Sequence, residues 1–334
     1  KPHQVSRDLR GYSVFFYGEP KSGKTTIATK FPKHLLFAFE KGYNAIPGAM
    51  AMPINSWSDF RKKLRELKDP EVQATFETII IDTADIAYDY CESYICANAP
   101  RPKEQGGGFG VDSIGDIPFG KGYTLVAKEF DECLRSIVKM NYGLVLISHA
   151  VDKTFKDESG VEYNQIVPTL GNKPRNIVSR MADIIGYSRP VKDKDGNESM
   201  KLFMRGTTRY MAGSRFKYTP DYIDFNYKSL TKAINDAVDK QMEEDGAEYF
   251  TDTRTNLYIA KELDFDELML EFKKVVNDLI AAKAPEEYKE LWEPKIKQIV
   301  REHLGPGMSV SKMDRGQVEA LDLIVNDVKV LIGE

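Results

Sequence analysis

Cysteine is scarce in this chain of 334 residues: Cys91, Cys96 and Cys133 are an odd number and do not fall at zinc-ligand spacing. That argues against a disulfide framework or a cysteine zinc site and for free thiols, acting as small apolar side chains in a reducing compartment. Long apolar runs are missing too. None approaches the roughly 20 residues of a bilayer crossing, and residues 1–10 hold no signal-peptide core, so the expectation is a cytoplasmic protein with no membrane partner. A large charge of one sign is also lacking. With a net charge of −4, any nucleic-acid contact must come from a local basic surface and not from a basic chain. Hydrophobic residues at 42% and charged residues at 29% exclude wholesale disorder, and the length allows one large or two modest domains.

What is present starts with Gly18-Glu19-Pro20-Lys21-Ser22-Gly23-Lys24-Thr25, directly after the apolar run 12–17 and opening a helix over 25–31. Strand, G-x-x-x-x-G-K-T loop and helix, in that order, form the setting in which this pattern cradles phosphate. The loop N–H groups must converge on phosphate oxygens, which side chains at Gly18 and Gly23 would obstruct. The helix presents its positive end to the same anion. Lys24 is expected to reach the β- and γ-phosphates, Thr25 to ligate Mg²⁺, and Thr26 to complete the nucleotide contacts, with ATP and Mg²⁺ as cofactors.

Two later strands end in single acids. The run 34–40 reads as a buried parallel strand with Glu40 at its carboxyl end, and 76–82 as another that delivers Asp82 to the crevice beside the loop, where it would hold Mg²⁺. Thr83 follows Asp82, where a glutamate would polarise the attacking water, so Glu40 is the candidate general base. A third strand, 142–149, carries His149 to its tip, positioned to sense the γ-phosphate or to act as a plain core or cap histidine.

Helices are expected at 56–67, 84–97 and from about 121, and a mobile Pro/Gly-rich loop at 99–118. Residues 150–173 read as a polar segment, and 183–205 as two strands joined by a turn at Asp195-Gly196. Arg205, Arg209, Arg215 and Lys217 lie close together as candidates for nucleotide contact across a subunit boundary or for DNA backbone contact. From about residue 230 the pattern is helical throughout, giving an expected division into a core over 1–230 and a helical appendage over 231–334 for partners or self-assembly.

Alternating strands and helices behind a phosphate loop imply an α/β fold, a mostly parallel doubly wound sheet with nucleotide at the strands' carboxyl ends. The loop, Glu40, the strand ending in Asp82, the stretch 116–123, the tip Ile147-Ser148-His149 and Ala212-Gly213-Ser214-Arg215-Phe216 together resemble phage-encoded RecA-like, AAA-type ATPases. Among these, the chain is similar to the Sak-type single-strand annealing and recombination proteins over about residues 10–225. The resemblance implies an oligomeric ring or filament that hydrolyses ATP and handles single-stranded DNA beside a phage replication or recombination apparatus in the host cytoplasm. It implies a catalytic role for Glu40, a sensor at His149 and DNA-binding segments at 99–118 and 150–173; beside it, the residues themselves offer an arginine among Arg205, Arg209 and Arg215, Arg205 foremost, to act on the neighbouring subunit's nucleotide. Two rival readings are a nucleotide-gated module that recruits a helicase or single-strand-binding protein with little turnover, and a DNA helicase or loader.

Overall fold

The computed structural model describes residues 2–101, 103, 106–254 and 263–333. Its first compact unit, Lys1–Ile259, is built on a sheet with ten strands among the described residues. In chain order the main strands are β1 (Ser13–Gly18), β2 (His34–Ala38), β3 (Ala51–Pro53), β4 (Thr78–Asp82), β5 (Gly143–Lys156), β6 (Glu162–Pro168), β7 (Ile184–Lys192), β8 (Glu198–Phe203) and β9 (Tyr222–Asp224). The helices are α1 (Lys24–Ala28), α2 (Trp57–Glu66), α3 (Pro70–Thr75), α4 (Ala84–Asn98), α5 (Lys121–Lys139), α6 (Asn172–Met181) and α7 (Tyr227–Asp245).

Across the sheet the order is β9-β8-β7-β1-β5-β4-β2-β3, with β6 paired to the outer part of β5. The strands from β7 to β3 run parallel, and β8, β9 and β6 are antiparallel additions. The buried strands alternate between two apolar cores. Phe15, Tyr17, Ile79, Ile81, Leu144 and Leu146 face one core, with Trp57, Phe60, Phe130 and Val178 from the helices of that side. Val14, Phe16, Ile80, Val145 and Ile147 face the other, against Ile27 of α1 and Leu230, Ile234 and Val238 of α7. A period of two with both faces covered is what makes these strands unbroken apolar runs.

The expected elements are present, joined by the short β3, α3 and β9 that the sequence-based expectations do not include, and three further differences stand out. First, α7 buries one face on the sheet, so the first unit runs about thirty residues past the sequence-based boundary at 230, into the undescribed stretch 255–262. A helical period alone does not tell which core a helix joins. Second, the segment after His149 continues as strand: β5 runs to Lys156 and returns as β6 in a hairpin pairing Ala150 with Pro168 and Lys156 with Glu162. Its polar, alternating residues are those of a two-sided solvated ribbon, which carries little hydrophobic signal. Third, the second half of the 99–118 stretch is anchored: Ile114 and Ile117 are buried, and Ser113 and Asp116 cap a short turn. Pro102, Glu104 and Gln105 of that stretch lie outside the described residues.

The second unit, Ala260–Glu334, holds α8 (Phe265–Ala282), α9 (Glu293–Leu304) and α10 (Val318–Ile332) around a separate core of Leu268, Val275, Leu279, Ile296, Val300, Leu321, Ile324, Val325 and Val328. No helix among the described residues is long and apolar enough to cross a membrane, and the three cysteines are buried free thiols.

Candidate active site

The tips of β1, β2, β4, β5 and β7 meet at one edge of the sheet, and the residues singled out by motif fall there. Gly18 lies opposite His149 of β5 and Ser188 of β7. A Cβ on Gly18 would come within 2.1 Å of the Ser188 hydroxyl oxygen, so only glycine lets the chain turn here against its neighbour. The loop then exposes Glu19, Pro20 and Lys21, the last at φ +62°, and enters α1 through Gly23 at φ +90°. Holding a lysine in the left-handed region is strain of the kind that collects at ligand-binding turns. Thr26 is exposed on the first turn of α1.

Lys24 is buried. Its ammonium donates to the carbonyls of Gly18 at 3.1 Å and Glu19 at 2.6 Å and to the Ser22 hydroxyl at 3.3 Å, and burial lowers its pKa. Thr25 donates its hydroxyl to the Asp82 carboxylate at 2.7 Å. Asp82 is only 2% exposed; burial, reinforced by the Glu40 carboxylate, pushes its pKa up to about 6. The Asp82 carbonyl accepts the backbone N–H of Phe39 at 2.7 Å and of Glu40 at 3.2 Å, which ties the turn after β2 to the tip of β4. Glu40 Oε2 in turn lies 3.4 Å from His149 Nε2, while His149 Nδ1 is buried with no hydrogen-bond partner among the described residues.

Whether a nucleotide and its metal fit can be read from Gly42. A Cβ there would stand 3.3 Å from Thr25 Oγ1, 3.5 Å from Asp82 Oδ2 and 3.8 Å from Glu40 Oε1. Three oxygen donors therefore border one space that any side chain at position 42 would enter. Hydroxyl and carboxylate oxygens suit Mg²⁺, which takes its remaining ligands from phosphates and water, and the acid held partly neutral by burial would ionise beside a cation. The residues fit the group: Thr25 and Asp82 would hold the metal, and Lys24 with the loop amides the phosphates. Bound there, the metal supplies charge neutralisation for the transferred phosphoryl group. In that arrangement Glu40 would orient water and accept its proton, and His149 would orient Glu40.

Some contributors carry no motif. Gly42 was legible only as the glycine two residues past a strand-end acid, and Ser188 reaches the loop only because β7 is the neighbour of β1; the Ser188 hydroxyl sits 3.1 Å from that of Ser22. Below the site the Ser148 hydroxyl lies 3.0 Å from that of Thr169, which donates to Asp85 and so links the base of the β5–β6 hairpin to the start of α4.

The arginines fall elsewhere. Arg205 spends its guanidinium on its own chain, donating to the carbonyls of Thr219, Phe216 and Lys217 at 3.1, 3.2 and 2.6 Å. Arg215 pairs with Asp183 at 2.9 Å, and Lys217 with Glu244 at 2.8 Å. Arg209 is exposed at the hairpin base, where its carbonyl accepts the Ile166 N–H at 2.8 Å.

The family model described as AAA domain matches residues 10–216. The chain belongs to this AAA domain family. It is therefore a nucleotide-binding protein of the P-loop class, and the match spans the phosphate loop, Glu40, Asp82 and His149 of the AAA domain. The SPbeta prophage-derived uncharacterized protein YorG of Bacillus subtilis (strain 168) is 31% identical over 340 residues, covering 99% of this chain and 96% of that protein. The crystal structure of the flagellar accessory protein FlaH from Methanocaldococcus jannaschii aligns at 11% identity with a TM-score of 0.32, covering 67% of this chain and 86% of that one.

Proposed function

We propose that this AAA domain protein is a phage ATPase, similar to Sak-type annealing proteins, that works on single-stranded DNA in recombination or replication as a ring or filament in the host cytoplasm. The convergence of Thr25, Asp82 and Glu40 on the space beside Gly42 carries the ATPase part. Lys24 stabilises phosphate charge, Thr25 and Asp82 hold Mg²⁺, and Glu40 activates water under the control of His149. Of the arginines, Arg209 is the one left to reach a neighbouring subunit's nucleotide, since Arg205 and Arg215 are engaged within their own chain.

Support for the DNA part comes from exposed aromatic side chains beside basic ones. Phe119, 94% exposed and held at φ +61°, has the Lys121 ammonium 5.8 Å from its ring centre. Exposed Tyr123 has Lys173 at 5.2 Å, and on the hairpin Tyr163 stacks on Phe155 at 5.9 Å. Open rings beside cations suit bases stacked on a strand whose phosphates meet lysine. The test is binding of a fluorescent single-stranded oligonucleotide with and without a non-hydrolysable ATP analogue across a salt series. Binding should weaken steeply with salt, and Phe119→Ala with Tyr123→Ala should cost about tenfold in affinity. Affinity indifferent to salt, nucleotide and both rings would remove DNA from the proposal.

A second reading is favoured by one observation: the helical unit has its own core and exposes Leu270, Leu323 and Val330. Nucleotide would then chiefly gate the hairpin while these helices recruit a replication or recombination protein. Turnover near zero with every DNA tested, together with partner binding that is lost on deleting 263–333, would select it.

A further inference from the structure

At the end of the sheet opposite the nucleotide crevice lies a cavity of about 260 Å³. It opens between Ser13 at the start of β1, Asp183 just before β7 and the last turns of α5 and α6, which bring Arg135, Lys139 and Arg180 to the same hollow as Arg215. Two of these cations are matched. Arg215 pairs with Asp183 at 2.9 Å and donates to the Arg180 carbonyl at 2.7 Å, and Arg135 pairs with Asp131 at 2.8 Å. The other Asp183 oxygen accepts the Ser13 amide at 2.8 Å, so both oxygens of that carboxylate are engaged within the chain. Lys139 and Arg180 have no ion pair among the described residues. A single cation in the last turn of a helix is an ordinary response to the helix dipole. Two unmatched ones lining one hollow, beside a carboxylate already satisfied, form a positive surplus around a concave space that can receive an anion.

We propose that this cavity binds a phosphomonoester. Near neutral pH a phosphomonoester carries roughly −1.5 to −2 charge, matching the surplus, whereas each diester phosphate of a nucleic-acid backbone carries a single charge. Guanidinium forks pair with phosphate oxygens through two parallel hydrogen bonds, and a lysine adds a point charge. The volume is below the about 300–1,000 Å³ of pockets for drug-sized ligands, which suits a phosphate and part of the group it esterifies. Two sources share this chemistry: the terminal phosphate of a nucleic-acid strand and a free phosphorylated small molecule such as a nucleoside monophosphate. The site is separate from the phosphate loop and does not rest on the single-strand DNA reading.

Calorimetric titration of the full chain carrying Lys24→Ala, which disables the phosphate loop, tests it. The probes are dAMP against deoxyadenosine, and a 5′-phosphorylated octanucleotide against its 5′-hydroxyl form. The phosphoryl group should raise affinity about tenfold, and Lys139→Ala with Arg180→Ala should erase that difference while the melting midpoint stays within a few degrees. A gain for dAMP as well as the oligonucleotide assigns the free monoester, and a gain for the oligonucleotide alone assigns the strand end; both support the site. If the double variant melts early, Arg180→Gln alone is read in the same way. No phosphoryl-dependent difference, or one that survives these substitutions, overturns the proposal.

Discussion

In the first unit Lys24, Asp82, Thr83, Ser148 and Ser188 are buried among apolar strands, whereas between residues 263 and 333 every fully buried side chain is apolar. Burying a charge or a hydroxyl costs free energy that a packed Leu or Ile does not. The core of the helical unit, built from α8, α9 and α10, is apolar throughout. The nucleotide edge of the sheet instead keeps a buried ammonium, Lys24, and a buried carboxylate, Asp82, which a stability argument alone would replace.

Four expected outcomes bear on that contrast, in falling order of size. Lys24→Ala should remove nucleotide binding and lower turnover by about 10³-fold, as loss of a preorganised donor to phosphate does, measured by fluorescent-nucleotide titration and phosphate release. Unchanged turnover would mean that the buried ammonium is structural after all. Glu40→Gln should leave ATP bound but cut hydrolysis by about 10²-fold, the usual contribution of a general base. Equal losses in binding and turnover would shift Glu40 from water activation to nucleotide binding.

On the other side of the contrast, Ile324→Ala in the helical core should cost about 2 kcal/mol or more by cavity formation, read from denaturant melting, with nucleotide affinity unchanged. A change in affinity would break the separation of roles. Smallest is the effect of Asp82→Asn on the nucleotide-free chain. An acid whose folded pKa is raised to about 6 from 3.8 destabilises the fold when ionised, fully above pH 6 and not at all below pH 4. The amide should therefore raise stability at pH 8, a gain that fades as pH falls through 6 towards 4, while hydrolysis is lost. A variant that is less stable at pH 8 would show that the carboxylate supports the fold rather than burdening it.

The strands behind Gly18, Asp82 and His149 were legible as short, mostly apolar runs closed by the glycine of the loop or by one polar tip, as was the helix start at residue 56, where the Ser56 side chain accepts the Asp59 N–H. The phosphate loop was legible because its backbone geometry demands glycines at fixed spacing. The β5–β6 hairpin was not, since a ribbon solvated on both faces leaves no apolar period, and neither was the end of the first unit, since α7 looks like any amphipathic helix. By itself the sequence determined the phosphate loop, the order of the main buried strands and helices and the identity of the acids at the strand tips, all of which are local properties of spacing and polarity. Only the tertiary structure decided that β5 separates β1 from β4, that Gly42 leaves room beside Thr25 and Asp82, that His149 meets Glu40 and that Arg205 is consumed by its own turn. Those facts depend on which distant segments are neighbours, and side-chain pairing across a sheet edge has no signature in the order of residues along the chain.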